Sequence, residues 1–256
     1  FFDLRLKYDA GDKRFDIHHG GIEGPSLADV LQQVRDFCNE GHRELFTLMF
    51  SHFEDFGDPA SSTVYDQFTK EVNDAIGTWM YKSKPANTRL ADITLDTYIN
   101  NRTSILVVVD DSYPVDYPEA GFWVFRNSES CTAVEGELRV FDQFASDANY
   151  EDVKEDQLAK YTAYDGTCIP NDDCNPKPAT CPCDLFLLSW TCTSPFGVGV
   201  WQASKNVNRH LGDFLSTLAI PNAHGRIPNI LYVDYGEFAR VTDVTLFAND
   251  APFVTA

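Results

Sequence analysis

The residues best equipped for chemistry in this 256-residue sequence lie near its start. Asp3 and Arg5 stand two apart in the apolar run Phe1-Phe2-Asp3-Leu4-Arg5-Leu6. In an extended chain that spacing puts both side chains on one face. A charged pair facing the inside of a sheet is costly unless it is paired or functional. His18-His19-Gly20-Gly21 follows. Neighbours in an extended segment face opposite sides, so one of the two histidines can enter a site, and Gly20 permits close backbone approach. Other apolar runs end in Ser51, His52 and Glu54, then Asp110 and Asp111, then Trp190, then Asp234 and Tyr235. A guanidinium offers phosphate a planar fork of donors. An imidazole, with a pKa near ~6.5, gives or takes a proton close to neutrality. Arginine, histidine and several carboxylates with few lysines therefore suit phosphoryl chemistry. The structural alternative for Asp3 and Arg5 is an ion pair, or the solvent face of an edge strand.

Alternating strands and helices must position these groups. Phe1–Lys7 reads as a strand, 9–12 as a turn and 15–19 as a second extended segment. Ser26 is a good N-cap for a helix with Leu27, Val30, Leu31, Val34, Phe37 and Cys38 on one face. Glu44–Phe50 reads as a buried strand, followed by a helix carrying Val64, Phe68, Val72, Ile76 and Trp79. Ile105–Val109 is an unbroken β-branched and Leu run, the mark of a strand buried on both faces. Phe122–Phe125, Leu185–Trp190 and Ile230–Tyr235 read as strands, and 150–163, 207–218 and 238–248 as helices. That alternation predicts a parallel sheet covered by helices, and at this length a (β/α) barrel is favoured. No strand is followed by a glycine-rich nucleotide loop or a G-x-S-x-G turn, which argues against nucleotide binding and an α/β-hydrolase.

Composition narrows the partners. Lys and Arg total 20 against 39 Asp and Glu, a net charge of −19, which speaks against a nucleic-acid partner. At 43% hydrophobic the chain can bury a full core, yet no run reaches the roughly 18–20 apolar residues of a transmembrane helix. Of seven cysteines, five (Cys168, Cys174, Cys181, Cys183, Cys192) crowd one Pro-rich stretch. Cys181-Pro182-Cys183 is too close-set for a zinc knuckle, so disulfides and an oxidising, secreted setting are expected. Asn101-Arg102-Thr103 is a glycosylation sequon in keeping with secretion. Ordinary structural roles suffice for His42, His210 and His224, and the acidic run 151–156 reads as a solvated helix face. Tyr113, Tyr117, Phe122 and Trp123 suit either a headgroup-binding rim or the core.

Four segments, in order, carry a family resemblance. Phe2-Asp3-Leu4-Arg5-Leu6 and Phe15-Asp16-Ile17-His18-His19-Gly20 resemble the opening of the X-domain of phosphatidylinositol-specific phospholipases C. Thr47–Phe53 resembles its third-strand signature and Pro228–Tyr235 its final strand, while 112–184 matches nothing in it. The resemblance implies a distorted (β/α)8 TIM-type barrel of the PLC-like phosphodiesterase class, a single domain over 1–256 with a disulfide-rich insertion at about 165–192. It implies Arg5 as phosphate clamp, Asp3 as the group positioning the inositol 2-hydroxyl or its general base, His19 as general acid and Asp234 as the orienter of a histidine. His52, Glu54, Asp110, Trp190 and Tyr235 are the expected substrate contacts.

The implied reaction is attack by a neighbouring hydroxyl on a phosphoinositide or related phosphodiester, with transient contact with a membrane surface. A carboxylate that binds calcium replaces Arg5 in the metal-dependent branch, so no cofactor is expected, with Glu54 and Asp110 the positions left for calcium. The family's first histidine lies on a strand ahead of Asp-x-Arg, which implies that an N-terminal strand bearing the general base is missing from these residues. Two other readings stay open: a secreted binding or structural protein on the same barrel, and a metal-dependent glycerophosphodiesterase.

Overall fold

In the computed structural model the described residues are 1–58, 62–110, 113, 120–127, 138–167, 183–193, 199–219 and 228–250. The chain divides into two compact units, the first holding the chain up to Arg126 and the second the chain from Val140 onward.

The first unit opens with β1 (Phe2–Asp9), β2 (Arg14–His19) and β3 (Ile22–Ser26), followed by α1 (Leu27–Asn39), β4 (Leu45–Glu54) and α2 (Val64–Ile76). A short α3 (Leu95–Ile99) leads to β5 (Ser104–Val109) and β6 (Phe122–Arg126). Its strand order is β3-β2-β1-β4-β5-β6. From β1 through β4 and β5 to β6 the pairing is parallel, as the apolar runs predict. β5 is buried at every position. Leu138 and Arg139, at the start of β7 (Leu138–Asp142), extend the parallel ladder beside Phe125 and Arg126.

At the start of the chain the expectation of parallel pairing fails. β1, β2 and β3 form an antiparallel meander. The reason is loop length, since a parallel crossover needs a dozen or more residues and these turns have none to spare. Asp9 closes the first turn, its carboxylate accepting from the N–H groups of Gly11 (2.8 Å) and Asp12 (3.2 Å). Gly20 makes the second with φ +58°. A side chain at Gly24 would bring its Cβ within 2.9 Å of the Ile17 carbonyl oxygen, so β3 can lie beside β2 only with glycine there. Ser26 caps α1 through Asp29 N–H at 3.1 Å. The core joins Leu6, Phe15, Phe50, Phe56 and Phe68, all at most 1% exposed, to the inner faces of α1 and α2. Tyr113, Phe122 and Trp123 are buried, which settles the core reading for these three.

The second unit begins with the rest of β7, followed by α4 (Tyr150–Ala163), β8 (Leu185–Trp190), α5 (Val200–Asn208), α6 (Leu211–Ala219), β9 (Ile230–Val233) and α7 (Val241–Asp250). Val140–Asp142 pairs in parallel with β8, and β8 with β9. Where periodicity predicts one helix over 207–218 there are two, parted at Arg209 and His210. Asn208 ends the first by donating its side-chain amide to the carbonyls of Asp234 (2.5 Å) and Tyr235 (3.3 Å). Two strands escape the sequence reading: β3, short and exposed, and β7, whose buried Arg139 breaks the apolar signal.

Candidate functional site

All the candidate residues that come together belong to the first unit. β1 presents Leu4, Leu6 and Tyr8 to the helix-covered core and Asp3, Arg5 and Lys7 to the other face. Beside it, Arg5 pairs with Ser51 and Lys7 with Glu54 across β4. On the other flank Leu6 pairs with Ile17 and Lys7 with Asp16. Ile17 shares Leu6's apolar face, so its neighbour His18 shares the face of Arg5 and Lys7.

The hydrogen bonds follow from that register. The Asp3 carboxylate lies 3.7 Å from Arg5 Nε and accepts from the Ser51 hydroxyl at 3.0 Å. Ser51 Oγ in turn lies 2.9 Å from His52 Nδ1. Ser51 is 1% exposed, whereas His52 sits exposed at the end of the strand with φ +53°, a left-handed conformation that costs a non-glycine residue about 1–3 kcal/mol. Asp110, just beyond β5, holds it there by accepting the His52 backbone N–H at 2.9 Å. Partial desolvation, then the Arg5 charge, lowers the pKa of the His52 imidazole.

His18 is the buried histidine of the pair. Its Nε2 lies 3.3 Å from the His52 carbonyl oxygen, and its Nδ1 lies 3.4 Å from that of Gly20 and 3.7 Å from Glu54. Glu54 also pairs with Lys7 at 2.9 Å, an interaction that lowers the carboxyl pKa and raises that of the amine. His19, the expected general acid, is exposed at the hairpin end on the face opposite Arg5. The structure thus gathers Asp3, Arg5, His52, Glu54 and Asp110 with two residues not assigned from sequence, His18 and Lys7. Lys7 continues the Asp3, Arg5 spacing by another two residues and could have been read from it. Choosing between His18 and His19 requires the register of the hairpin.

The other candidates belong to the second unit. Trp190, expected to contact substrate, is 0% exposed: its ring stacks on Phe214 at 4.6 Å and its indole N–H donates to the Val207 carbonyl at 3.1 Å. It is a core residue. Burying an aromatic of that size is worth about 3–5 kcal/mol against alanine, which explains its place. Asp234 Oδ2 accepts the Cys192 N–H at 3.0 Å. Tyr235 is 45% exposed. Cys192 was expected among the cross-linked cysteines, but it and Cys38 are buried free thiols. Burial raises both thiol pKa values, that of Cys192 to about 11. Cys183 is disulfide-bonded. Cys131, Cys168, Cys174, Cys181, Asp111, Tyr117 and His224 lie outside the described residues. His42 stacks on Phe37 and His210 on Tyr150, at 4.0 and 4.2 Å, as packed histidines do. Among the described residues no three acidic, histidine or cysteine side chains gather as metal ligands, and no helix is long and apolar enough to cross a membrane.

No family model matches the chain, and no curated protein matches it significantly by sequence. Solved structures do match by shape. A phosphatidylinositol-specific phospholipase C of Staphylococcus aureus superposes with a TM-score of 0.57 at 14% identity, over 92% of this chain and 73% of that one. The phosphatidylinositol-specific phospholipase C of Listeria monocytogenes superposes with a TM-score of 0.54 at 14% identity, over 94% and 76% respectively. The mixed sheet, with its parallel ladder and covering helices, is therefore of the kind found in these solved structures, and the chain has their α/β fold, which is of the TIM-barrel type.

Proposed function

We propose that this protein cleaves phosphodiesters of the phosphoinositide type by attack of the substrate's own neighbouring hydroxyl, releasing a cyclic phosphate and an alcohol. One observation carries the reading: Arg5 shares a strand face with His18 and stands beside the Asp3–Ser51–His52 chain of contacts. Arg5 would grip the phosphoryl oxygens through its fork and neutralise the charge that grows on them. His18 takes the proton-donor part that the family motif assigns to His19. A fixed guanidinium supplies the positive charge that a divalent ion would otherwise bring, so turnover should need no metal. The cysteine-rich segment, with Cys183 in a disulfide, supports an oxidising, secreted setting. The solved neighbours, one of them described for its membrane binding, support a lipid-surface substrate.

The test is phosphorus NMR of the protein mixed with phosphatidylinositol vesicles, or with soluble glycerophosphoinositol, in the presence of a chelator. A cyclic-phosphate signal is expected, and Arg5→Lys should slow its appearance about 10²–10³-fold, the loss seen when one charge-stabilising donor is removed. Absence of product from both substrates, or full activity in Arg5→Lys, would overturn the reading. Product that vanishes on chelation would turn it toward a metal-dependent enzyme.

A further inference from the structure

The chain's single glycosylation sequon, Asn101-Arg102-Thr103, lies on a tight turn of the first unit. The Arg102 N–H donates to the Ile99 carbonyl at 2.8 Å, and the two residues between them, Asn100 and Asn101, have φ +38° and +66°. That is the pattern of a type I′ turn, which asparagine tolerates because its short polar side chain suits the left-handed region. Asn101 and Arg102 are exposed, whereas Thr103 is 2% exposed where the chain turns inward to β5. The Asn101 amide uses its two ends differently. Its Oδ1 accepts from the Arg43 guanidinium at 2.8 Å, while among the described residues its Nδ2 meets no acceptor. An exposed amide on a turn, held by its oxygen alone, presents the nitrogen to which N-linked glycans attach. Resting on the secreted setting proposed above, we infer that Asn101 is an N-glycan attachment site, filled before the chain folds and set at the end of the first unit away from Arg5.

The step balances with an oligosaccharide carried on a lipid pyrophosphate as donor. Asn101 Nδ2 attacks the anomeric carbon and a C–N bond forms. The C–O bond to the pyrophosphate breaks, and one Nδ2 proton leaves with it. The product amide keeps its carbonyl oxygen, so the Arg43 bond survives and the turn needs no rearrangement. Timing follows from Thr103, whose buried hydroxyl donates to the His42 carbonyl. Beside it the Ser104 N–H donates to the Glu44 carbonyl at 2.9 Å, joining β5 to the approach to β4. A transferase that reads the sequon hydroxyl can reach it only before those contacts close. Position follows from register. Ser104 pairs with Leu45 at one end of the β4–β5 ladder and Val109 with Phe50 at the other, and Arg5 pairs with Ser51, one residue past Phe50. The length of β5, about 20 Å at ~3.3 Å per residue, therefore separates the turn from the candidate site. A bulky, solvated glycan on Asn101 leaves Arg5 and its neighbours open.

Attachment can be read without any substrate. The full chain, placed behind a cleaved secretion signal in a eukaryotic host, should carry one glycan that an amide-cleaving glycosidase removes, leaving aspartate at position 101 in the peptide map. Asn101→Asp, which keeps an acceptor for Arg43 and tolerates the turn, should fold and carry no glycan. Thr103→Ser should keep the glycan and Thr103→Val should lose it. An unmodified Asn101 in the wild-type protein overturns the inference and leaves that residue a turn former, whether or not Arg5-dependent turnover stands. The folded chain made in a bacterial cytoplasm, then offered the transferase and its lipid-linked donor, should stay unmodified, and ready modification would overturn the timing. Alkylation of the secreted product tests the setting separately: a reactive Cys183 thiol removes the disulfide argument for secretion while an occupied Asn101 still stands.

Discussion

Polar residues stand along β1 and just past the end of β9, and the two units use them differently. In the first, Asp3, Arg5 and Lys7 recur at every second residue and find partners along one face, in Ser51, Glu54 and each other. In the second, Asp234 ties down the backbone N–H of Cys192, and Trp190 fills the core beneath. A single polar residue at a strand end serves as easily to satisfy a stray backbone donor as to do chemistry. Three charges at alternate positions cannot all be explained that way. Repetition along a face, more than position at an edge, separates the candidate site from its structural look-alike.

The sharpest way to break that contrast is a pair of substitutions. Trp190→Ala should destabilise the protein by about 3–5 kcal/mol, read as a large fall in melting temperature. Arg5→Lys should leave the melting temperature within a degree or two while nearly abolishing turnover. An unchanged melting temperature in Trp190→Ala would remove the core role assigned to Trp190. Next in size is the histidine pair. His18→Ala should cost about 10²–10⁴ in kcat, with a smaller loss on substrates whose leaving group needs no proton, whereas His19→Ala should stay within about twofold of the parent. The reverse ranking would restore the family-motif assignment.

The smallest effect concerns pH. His52 has its pKa lowered from its ordinary 6.5 in the folded protein, so on acidification the unfolded chain binds this proton first. Its contribution is complete above 6.5 and fades as the pH falls through the lower folded value. His52→Gln should therefore flatten the melting temperature against pH curve just below 6.5 and leave it unchanged above. A curve equally steep in both proteins would remove the lowered pKa.

Much of this could be read directly from the residues. The apolar run at 105–109 gives β5, the spacing of Val64, Phe68, Val72 and Ile76 gives α2, and Leu185–Trp190 is β8 to the residue. The Asp3, Arg5 alternation gives the core of the candidate site. What could not be read depends on pairing. The antiparallel meander hides in turns of few residues, β7 hides behind a buried arginine, and the burial of Trp190 depends on Phe214, distant in sequence. The choice of His18 over His19 belongs to the same class, because a shift of one residue in register exchanges the two faces of a strand.

Gly24 makes the point in a way that bears on any survey of variants. It does no chemistry and lies on the outermost strand, yet the carbonyl of Ile17 leaves no room for even one methyl group there. Any larger residue would push β3 off β2 and disturb the hairpin that aims His18. In a saturation scan, position 24 should tolerate replacement as poorly as Arg5, so intolerance by itself will not distinguish the groups that act from the backbone that holds them in place.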